Sequence, residues 1–217
     1  MLVDAAMRSF ARLGPDSTAI DDVILEAGVS HGTFYNYFAT RDELLATVAA
    51  EISDQLLARM APQRALPDPA DRVACAVRTF IGIAAADPIR GWVIVRTALI
   101  AAPLGEMMRS QMTHDITTGQ STRRFNKCSE QAAADTILGL GLMGMRSVLR
   151  GEAGSGHAEQ IAEMVLLALG VSDAAEIARR EISDQAVAAR TAQPDPASTR
   201  AKKPAEKSPS PSARRAD

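Results

Sequence analysis

Apolar side chains in residues 3–13 fall on one helical face, Val3, Ala6, Met7, Phe10 and Leu13, and Gly14-Pro15 closes it. A second face follows, with Ile20, Val23, Ile24 and Ala27 at i, i+3, i+4, i+7. Thr18 is expected to cap it, Asp21 to complete a capping box, and Gly28 to stop it. After Val29, Ser30 can cap a short helix of about eight residues anchored by Phe34 and Phe38. Thr40, with Glu43 three positions on, caps a longer helix carrying Leu44, Leu45, Val48 and Ile52. Two short helices joined by a Gly-containing turn of about four residues have the spacing of a helix-turn-helix.

The helical period continues to about residue 187, broken where breakers fall. Pro62, Pro67 and Pro69 precede a segment 70–86 with Val73, Val77, Phe80 and Ile81. Asp87-Pro88 opens the next, with Trp92, Val95, Leu99 and Ile100, and Pro103 and Gly105 precede one with Met108, Met112 and Ile116. Helices at roughly 129–150 and 157–170 flank a Gly-rich loop 151–156, and a short piece covers 173–187. No strand pattern alternates with these segments, so the fold class is all-α. Three parts follow: a helix-turn-helix head 1–47, a helical domain 48–187, and a basic Pro/Ser-rich tail 188–217 whose composition predicts disorder.

Composition supports the helices, with 47% hydrophobic and 4% aromatic residues. No apolar run reaches the roughly 18 residues of a membrane span, and the first residues lack a signal-peptide pattern. Cys75 and Cys128 form no C-x-x-C pair, which predicts small core residues in a reducing cytoplasm, with a thiol sensor as the alternative, rather than a disulfide or zinc scaffold. Gly139, Gly141 and Gly144 spell G-x-G-x-x-G, but a helical pattern precedes them where a dinucleotide site needs a strand. Close helix packing is the expected role of these small residues. His31, His114 and His157 are scattered, and neither H-E-x-x-H nor G-x-S-x-G is present. No enzyme, cofactor or metal site is expected.

Burying Val29, Phe34 and Phe38 leaves His31, Gly32, Thr33, Tyr35, Asn36 and Tyr37 facing outward. Such side chains suit base edges and phosphates in a major groove. Ser30 and Arg41 flank them, and helix N-termini near Thr18 and Thr40 offer backbone N–H groups to phosphate. The run from Gly28-Val29-Ser30-His31-Gly32-Thr33-Phe34-Tyr35-Asn36-Tyr37-Phe38 to Thr40-Arg41-Asp42-Glu43-Leu44 resembles the DNA-binding signature of the TetR family of bacterial repressors. The resemblance spans roughly residues 3–48 and implies that Thr33, Tyr35, Tyr37 and Arg41 touch the backbone or base edges. His31 and Gly32 would then tune sequence choice.

Charge departs from that pattern. The whole chain has 24 basic and 26 acidic residues, a net charge of −2. In the first fifty residues Arg8, Arg12 and Arg41 face Asp4, Asp16, Asp21, Asp22, Glu26, Asp42 and Glu43. The family's basic arm ahead of the first helix is not in this sequence, and an upstream start would supply it. Ala19 and Asp21 stand where the family places a hydroxyl and often a base. The chain as given is expected to bind DNA with low affinity and a shallow salt dependence.

The resemblance implies a homodimeric cytoplasmic regulator, most often a repressor, released from a palindromic operator by a small molecule. Its dimer would form through the helices at about 129–150 and 157–170, with Ile161, Met164, Val165, Leu166 and Leu169 as interface or core residues. Trp92, Arg96, Met112, His114, Phe125 and Met143 are the effector-contacting candidates. Met107, Met108 and Met145 complete a methionine group that forms either core or an adaptable pocket wall. The competing expectation is a helical small-molecule-binding protein with weak or lost DNA binding.

Overall fold

The computed structural model describes residues 1–98 and 102–180, of which 102–105 and 107 by their backbone alone. The tail expected at 188–217 lies outside the described residues. Among the described residues there are α-helices and one 3-10 turn, and no strand. The head comprises α1 (Leu2–Leu13), α2 (Ile20–Ala27), α3 (His31–Tyr35) and the start of α4 (Arg41–Met60). After a 3-10 turn at Pro62–Ala65 come α5 (Pro69–Ala86), α6 (Pro88–Thr97), α7 (Ala102–Ser121), α8 (Glu130–Leu149), α9 (His157–Ala168) and α10 (Ala174–Arg179).

Local chemistry explains most boundaries. Gly28 adopts the left-handed conformation at φ 66°, and the N–H groups of Gly28 and Val29 return to the carbonyls of Leu25 and Ile24. Ser30 Oγ accepts the Thr33 N–H at 3.2 Å, and Thr40 Oγ1 accepts that of Glu43 at 3.1 Å. Asp68 and Asp87 cap α5 and α6, each with proline in the first turn. Pro103 likewise falls in the first turn of α7, where it breaks no helical hydrogen bond. The helix therefore begins before this residue rather than after it.

Two expectations in the head need correcting. Thr18 does not cap α2, which starts at Ile20 behind Ala19. The Thr18 hydroxyl instead turns inward and donates to the Gly14 carbonyl at 2.7 Å. Asp22, not Asp21, accepts the Ala19 N–H at 2.8 Å. The recognition segment is also shorter than expected: α3 has five residues, and turn bonds from Tyr37 and Phe38 to the Phe34 carbonyl bring Phe38 back towards the core.

The core joins the parts. Phe10, Phe34, Leu44 and Ile52 are fully buried in the head and along α4. In the larger bundle α5 packs against α6, α7, α8 and α9. Gly91 permits the α5–α6 approach, since a Cβ there would stand 2.9 Å from Ala84 Cα. Gly144 does the same between α8 and its neighbours, where a Cβ would meet Ile81 Cδ1 at 2.7 Å. At the far end Arg124 donates two bonds to Asp173, at 2.7 and 2.9 Å, and reaches Asp68 at 3.0 Å. Those bonds tie the α7–α8 connection to the caps of α5 and α10, and they hold the Asp173 carboxyl below its usual range.

Helix α8 is the one described helix whose length and mean hydropathy of 1.2 match a membrane span. Its apolar residues divide between a buried face, Ala134, Ile137, Leu138, Leu142 and Met145, and an exposed one with Gly139 and Met143. That division is what an amphipathic bundle helix with a second partner shows.

Candidate nucleic-acid interface and interior cavity

Helix α3 is held from beneath and open above. Phe34 is fully buried, meets Tyr35 edge-on with ring centroids 5.3 Å apart, and lies 5.9 Å from Phe38. Burial of that ring leaves Ser30, His31, Gly32, Tyr35, Asn36 and Tyr37 exposed and Thr33 half-buried. The seven form one contiguous outward surface. Tyr35 and Tyr37 are 54% and 69% exposed, although aromatic rings without an external partner tend towards burial.

Acidic groups outnumber basic ones around that surface, and Arg8, His31 and Arg41 each lie beside a carboxylate. Arg8 Nε is paired with Glu26 at 2.7 Å, and His31 Nε2 lies 3.4 Å from Asp21. Arg41 is turned towards the head rather than fully outward: its Nε donates to the Thr18 carbonyl at 2.8 Å. Thr18 and Arg41 thus meet each other, with the Thr18 side chain buried and Arg41 holding the turn between α1 and α2. Glu43 Oε2 accepts the Ala39 N–H at 2.7 Å, which steadies the entry to α4.

An apolar interior space lies between α4, α5, α7 and α8. It offers about 560 Å³ of empty volume, its mouth included. Met60, Val77, Phe80, Met108, Met112, Ile137, Leu138 and Leu142 make its apolar wall, with Gln111 and Asp115 as its polar positions. A smaller recess adjoins it, sharing Met60, Ala76, Gln111 and Asp115 and adding Gln63, Arg64 and Arg72. Arg72 Nε donates to Asp115 at 2.5 Å, and its Nη1 to the Leu66 carbonyl at 2.7 Å.

The six effector candidates are not brought together in this space. Met112 lines it. Trp92 and Arg96 sit at the junction of α6 with α1, the Arg96 guanidinium 4.9 Å from the Trp92 ring and donating to the Phe10 carbonyl at 3.3 Å. His114 is exposed on α7. Phe125 folds back onto Gly119, where a Cβ would lie 2.1 Å from the ring. Met143 is 54% exposed on the outer face of α8. Helical periodicity placed each on an element but could not say which stripes converge.

Other singled-out residues find plain roles. Gly141 opens onto the cavity and Gly139 onto the exposed face of α8, and a Cβ at either would meet nothing within 4 Å. The G-x-G-x-x-G spacing therefore lies mid-helix, with no strand before it. Burial pushes the Cys75 thiol up to about 11, far from the thiolate a redox sensor needs, whereas Cys128 is exposed and not the core residue expected. Among the described residues no three His, Cys, Asp or Glu side chains converge on a metal-sized site.

A family model described as bacterial regulatory proteins, tetR family, matches residues 2–48. A second, described as tetracyclin repressor-like, C-terminal domain, matches residues 68–180. The structure of RolR without ligand is 25% identical, with 83% of this chain and 96% of that chain covered and a TM-score of 0.65. RolR in complex with resorcinol gives 25% identity, 84% and 93% coverage, and a TM-score of 0.65. FadR from Bacillus subtilis, in complex with stearoyl-CoA, shares the fold at 18% identity, 76% and 96% coverage, and a TM-score of 0.64. No curated protein matches the chain by sequence. With one model covering the head, a second covering more than half of the chain, and the same architecture in solved regulators, the chain belongs to the TetR family of bacterial transcription regulators.

Proposed function

We propose that the protein is an effector-released repressor that binds a palindromic operator as a homodimer. The observation that carries this reading is the exposed, polar and aromatic surface of α3 over a fully buried Phe34. Ser30, His31, Gly32, Thr33, Tyr35, Asn36 and Tyr37 would face the major groove, with Arg41 at its edge. Thr18 contributes by position, through the turn it shares with Arg41.

Dimerisation uses the outer face of α8 and α9. Met143, Met164 and Leu167 are all more than half exposed there, whereas Val165, Leu166 and Leu169 are buried within the protomer and Ile161 is half-buried. A three-helix head followed by an effector and dimerisation domain from about residue 48 accommodates both roles. The effector occupies the cavity between α4, α5, α7 and α8, a use supported by the small-molecule complex of RolR.

Helix α4 supplies the link between the two. It starts beside the recognition segment at Arg41 and ends at Met60 in the cavity wall, about 30 Å away at 1.5 Å per residue. A ligand that displaces Met60 tilts α4, and packing of α1 on α6 through Phe10, Arg96 and Trp92 turns that tilt into a change of head spacing. By reciprocity, operator DNA weakens ligand binding by the same factor.

Anisotropy titration against DNA flanking the protein's own gene tests the reading. Sequence-dependent binding is expected, and Tyr37→Ala is expected to weaken it about tenfold or more, at one lost base contact per head. Tyr37 is 69% exposed, so the variant's helicity and melting should match wild type. Unaltered affinity would refute the assigned interface. Equal weak binding to every sequence would favour a ligand-binding protein without an operator.

The same titration across salt concentrations is expected to give a shallow slope. With Arg8 held by Glu26, each head has Arg12 and, through the guanidinium nitrogens not bonded to the Thr18 carbonyl, Arg41 for phosphate, and a dimer would release at most about four counterions. The slope of log K against log salt should therefore be no steeper than about −4. A slope near −10 would mean that basic residues outside the head dominate.

A further inference from the structure

The cavity has an apolar body and one polar end, and the two ends make different demands on a ligand. The apolar wall combines the thioethers of Met60, Met108 and Met112 with the Phe80 ring and aliphatic side chains. Thioethers accommodate flat aromatic rings well, with sulfur at the ring edge.

The polar end carries unpaired groups, with a carboxylate oxygen as its charged acceptor. Asp115 Oδ1 takes the Arg72 Nε–H, but Oδ2 has no partner among the described residues. Gln63 gives its amide N–H to Thr79 Oγ1 at 2.6 Å, while its Oε1 is buried without a partner. The Gln111 amide makes no hydrogen bond among the described residues and lines both compartments, as Asp115 does. Among the described residues Gln63 Oε1 is the one buried acceptor of the recess left without a partner, and Asp115 Oδ2 is an accessible acceptor at the cavity's polar end, so a hydrogen-bond donor is the group this end can take.

Charge narrows the choice. Arg72 neutralises Asp115, and with Nε and Nη1 already engaged it faces only the outer recess. Arg64 is exposed at the rim, where water screens it. A ligand lying in the apolar slot therefore meets the Asp115 carboxylate before either guanidinium. An anionic headgroup would be repelled there, and a cationic one would compete with Arg72.

Resting on the effector reading above, we propose that this cavity selects compact, uncharged aromatic molecules bearing a hydroxyl. The ring would lie among the methionines, and the O–H would donate to Asp115 with Gln111 beside it. Acyl chains ending in a carboxylate or phosphate are excluded by the same arrangement.

Calorimetric titration of the full-length, DNA-free protein tests this with four matched probes: 4-ethylphenol, ethylbenzene, 4-ethylbenzoate and 4-ethylbenzylamine. The phenol is expected to bind roughly ten- to hundredfold more tightly than the other three, the range of a hydrogen bond to a charged acceptor. Asp115→Asn should remove most of that preference and leave ethylbenzene affinity unchanged. Should Asp115→Asn disturb folding through Arg72, Gln111→Leu is the alternative, since it breaks no internal bond, and it should weaken the phenol alone. Gly141→Leu fills space in which a new Cβ meets nothing within 4 Å, and should abolish binding of every probe while circular dichroism stays unchanged.

Tightest binding of the benzoate or the amine, equal binding of all four, or a phenol preference untouched by both polar variants would overturn the proposal. Because the titration contains no DNA, its outcome is separate from the regulator reading. Phenol binding by a protein that recognises no operator would support the ligand class and sink the repressor. Operator release by an anionic compound, with no response to the phenol, would do the reverse.

Discussion

Phe34→Ala is expected to unfold the N-terminal head at a urea concentration at which the C-terminal bundle remains folded. The five residues of α3 are too few to hold a helix alone, and the fully buried Phe34 ring fastens them to α2 and the core of the head. Deleting a buried phenylalanine costs about 3–5 kcal/mol, a large share of what a head of this size has available. The chain carries its own reporters. Its two tyrosines, Tyr35 and Tyr37, flank the site, and its single tryptophan, Trp92, sits where α6 packs on α1. Tyrosine fluorescence should report an early transition in the variant, with far-UV dichroism keeping a later one for α5 to α9. Operator affinity should fall in proportion to the folded fraction of heads. A single transition at the wild-type midpoint would show that α3 draws its stability from elsewhere.

How much of this was legible beforehand depended on how local the cause was. Helix faces and most caps are decided within a few residues, so Phe10, Phe34, Leu44 and the caps at Ser30 and Thr40 stand where periodicity put them. Thr18 failed as a cap because its hydroxyl had a competing acceptor, the Gly14 carbonyl, brought near by the turn after α1. Once Thr18 turned inward, the cap moved to Ala19 and the box carboxylate from Asp21 to Asp22.

Legibility was poorest for the cavity, where four helices meet. Trp92 and Arg96 resembled pocket residues by chemistry, yet their cation–π contact serves the junction between head and bundle. Asp115 and Gln111 belong to no motif on α7, and only the approach of α5 and the Pro62–Ala65 turn makes them an inner polar end. One signal was available: an Asp three positions after Met112, on the face carrying Met108, breaks an otherwise apolar stripe. A polar residue on a core-facing stripe needs a partner, and here the partner is Arg72, 43 positions earlier in sequence.

Leu167→Asp is expected to convert a dimer into a monomer and to lower operator affinity by about a hundredfold or more, the scale on which linked binding exceeds single-site binding. Leu167 and Met164 lie one turn apart on α9, 51% and 56% exposed, and α8 packs beside them with Met143 at 54%. These apolar side chains at neighbouring positions on two adjoining helices would form the centre of a two-fold contact, so each substitution enters the interface twice. A carboxylate buried there without a partner costs far more than the lost leucine contact. Within the protomer Leu167 is more than half exposed, so monomer folding should survive. Wild-type melting temperature should rise with protein concentration, and that of the variant should not. Sedimentation velocity gives the oligomeric state directly. A variant that stays dimeric would move the interface off this face. A monomer that still binds the operator as tightly as wild type would mean that one head suffices, and the palindromic two-site reading would have to go.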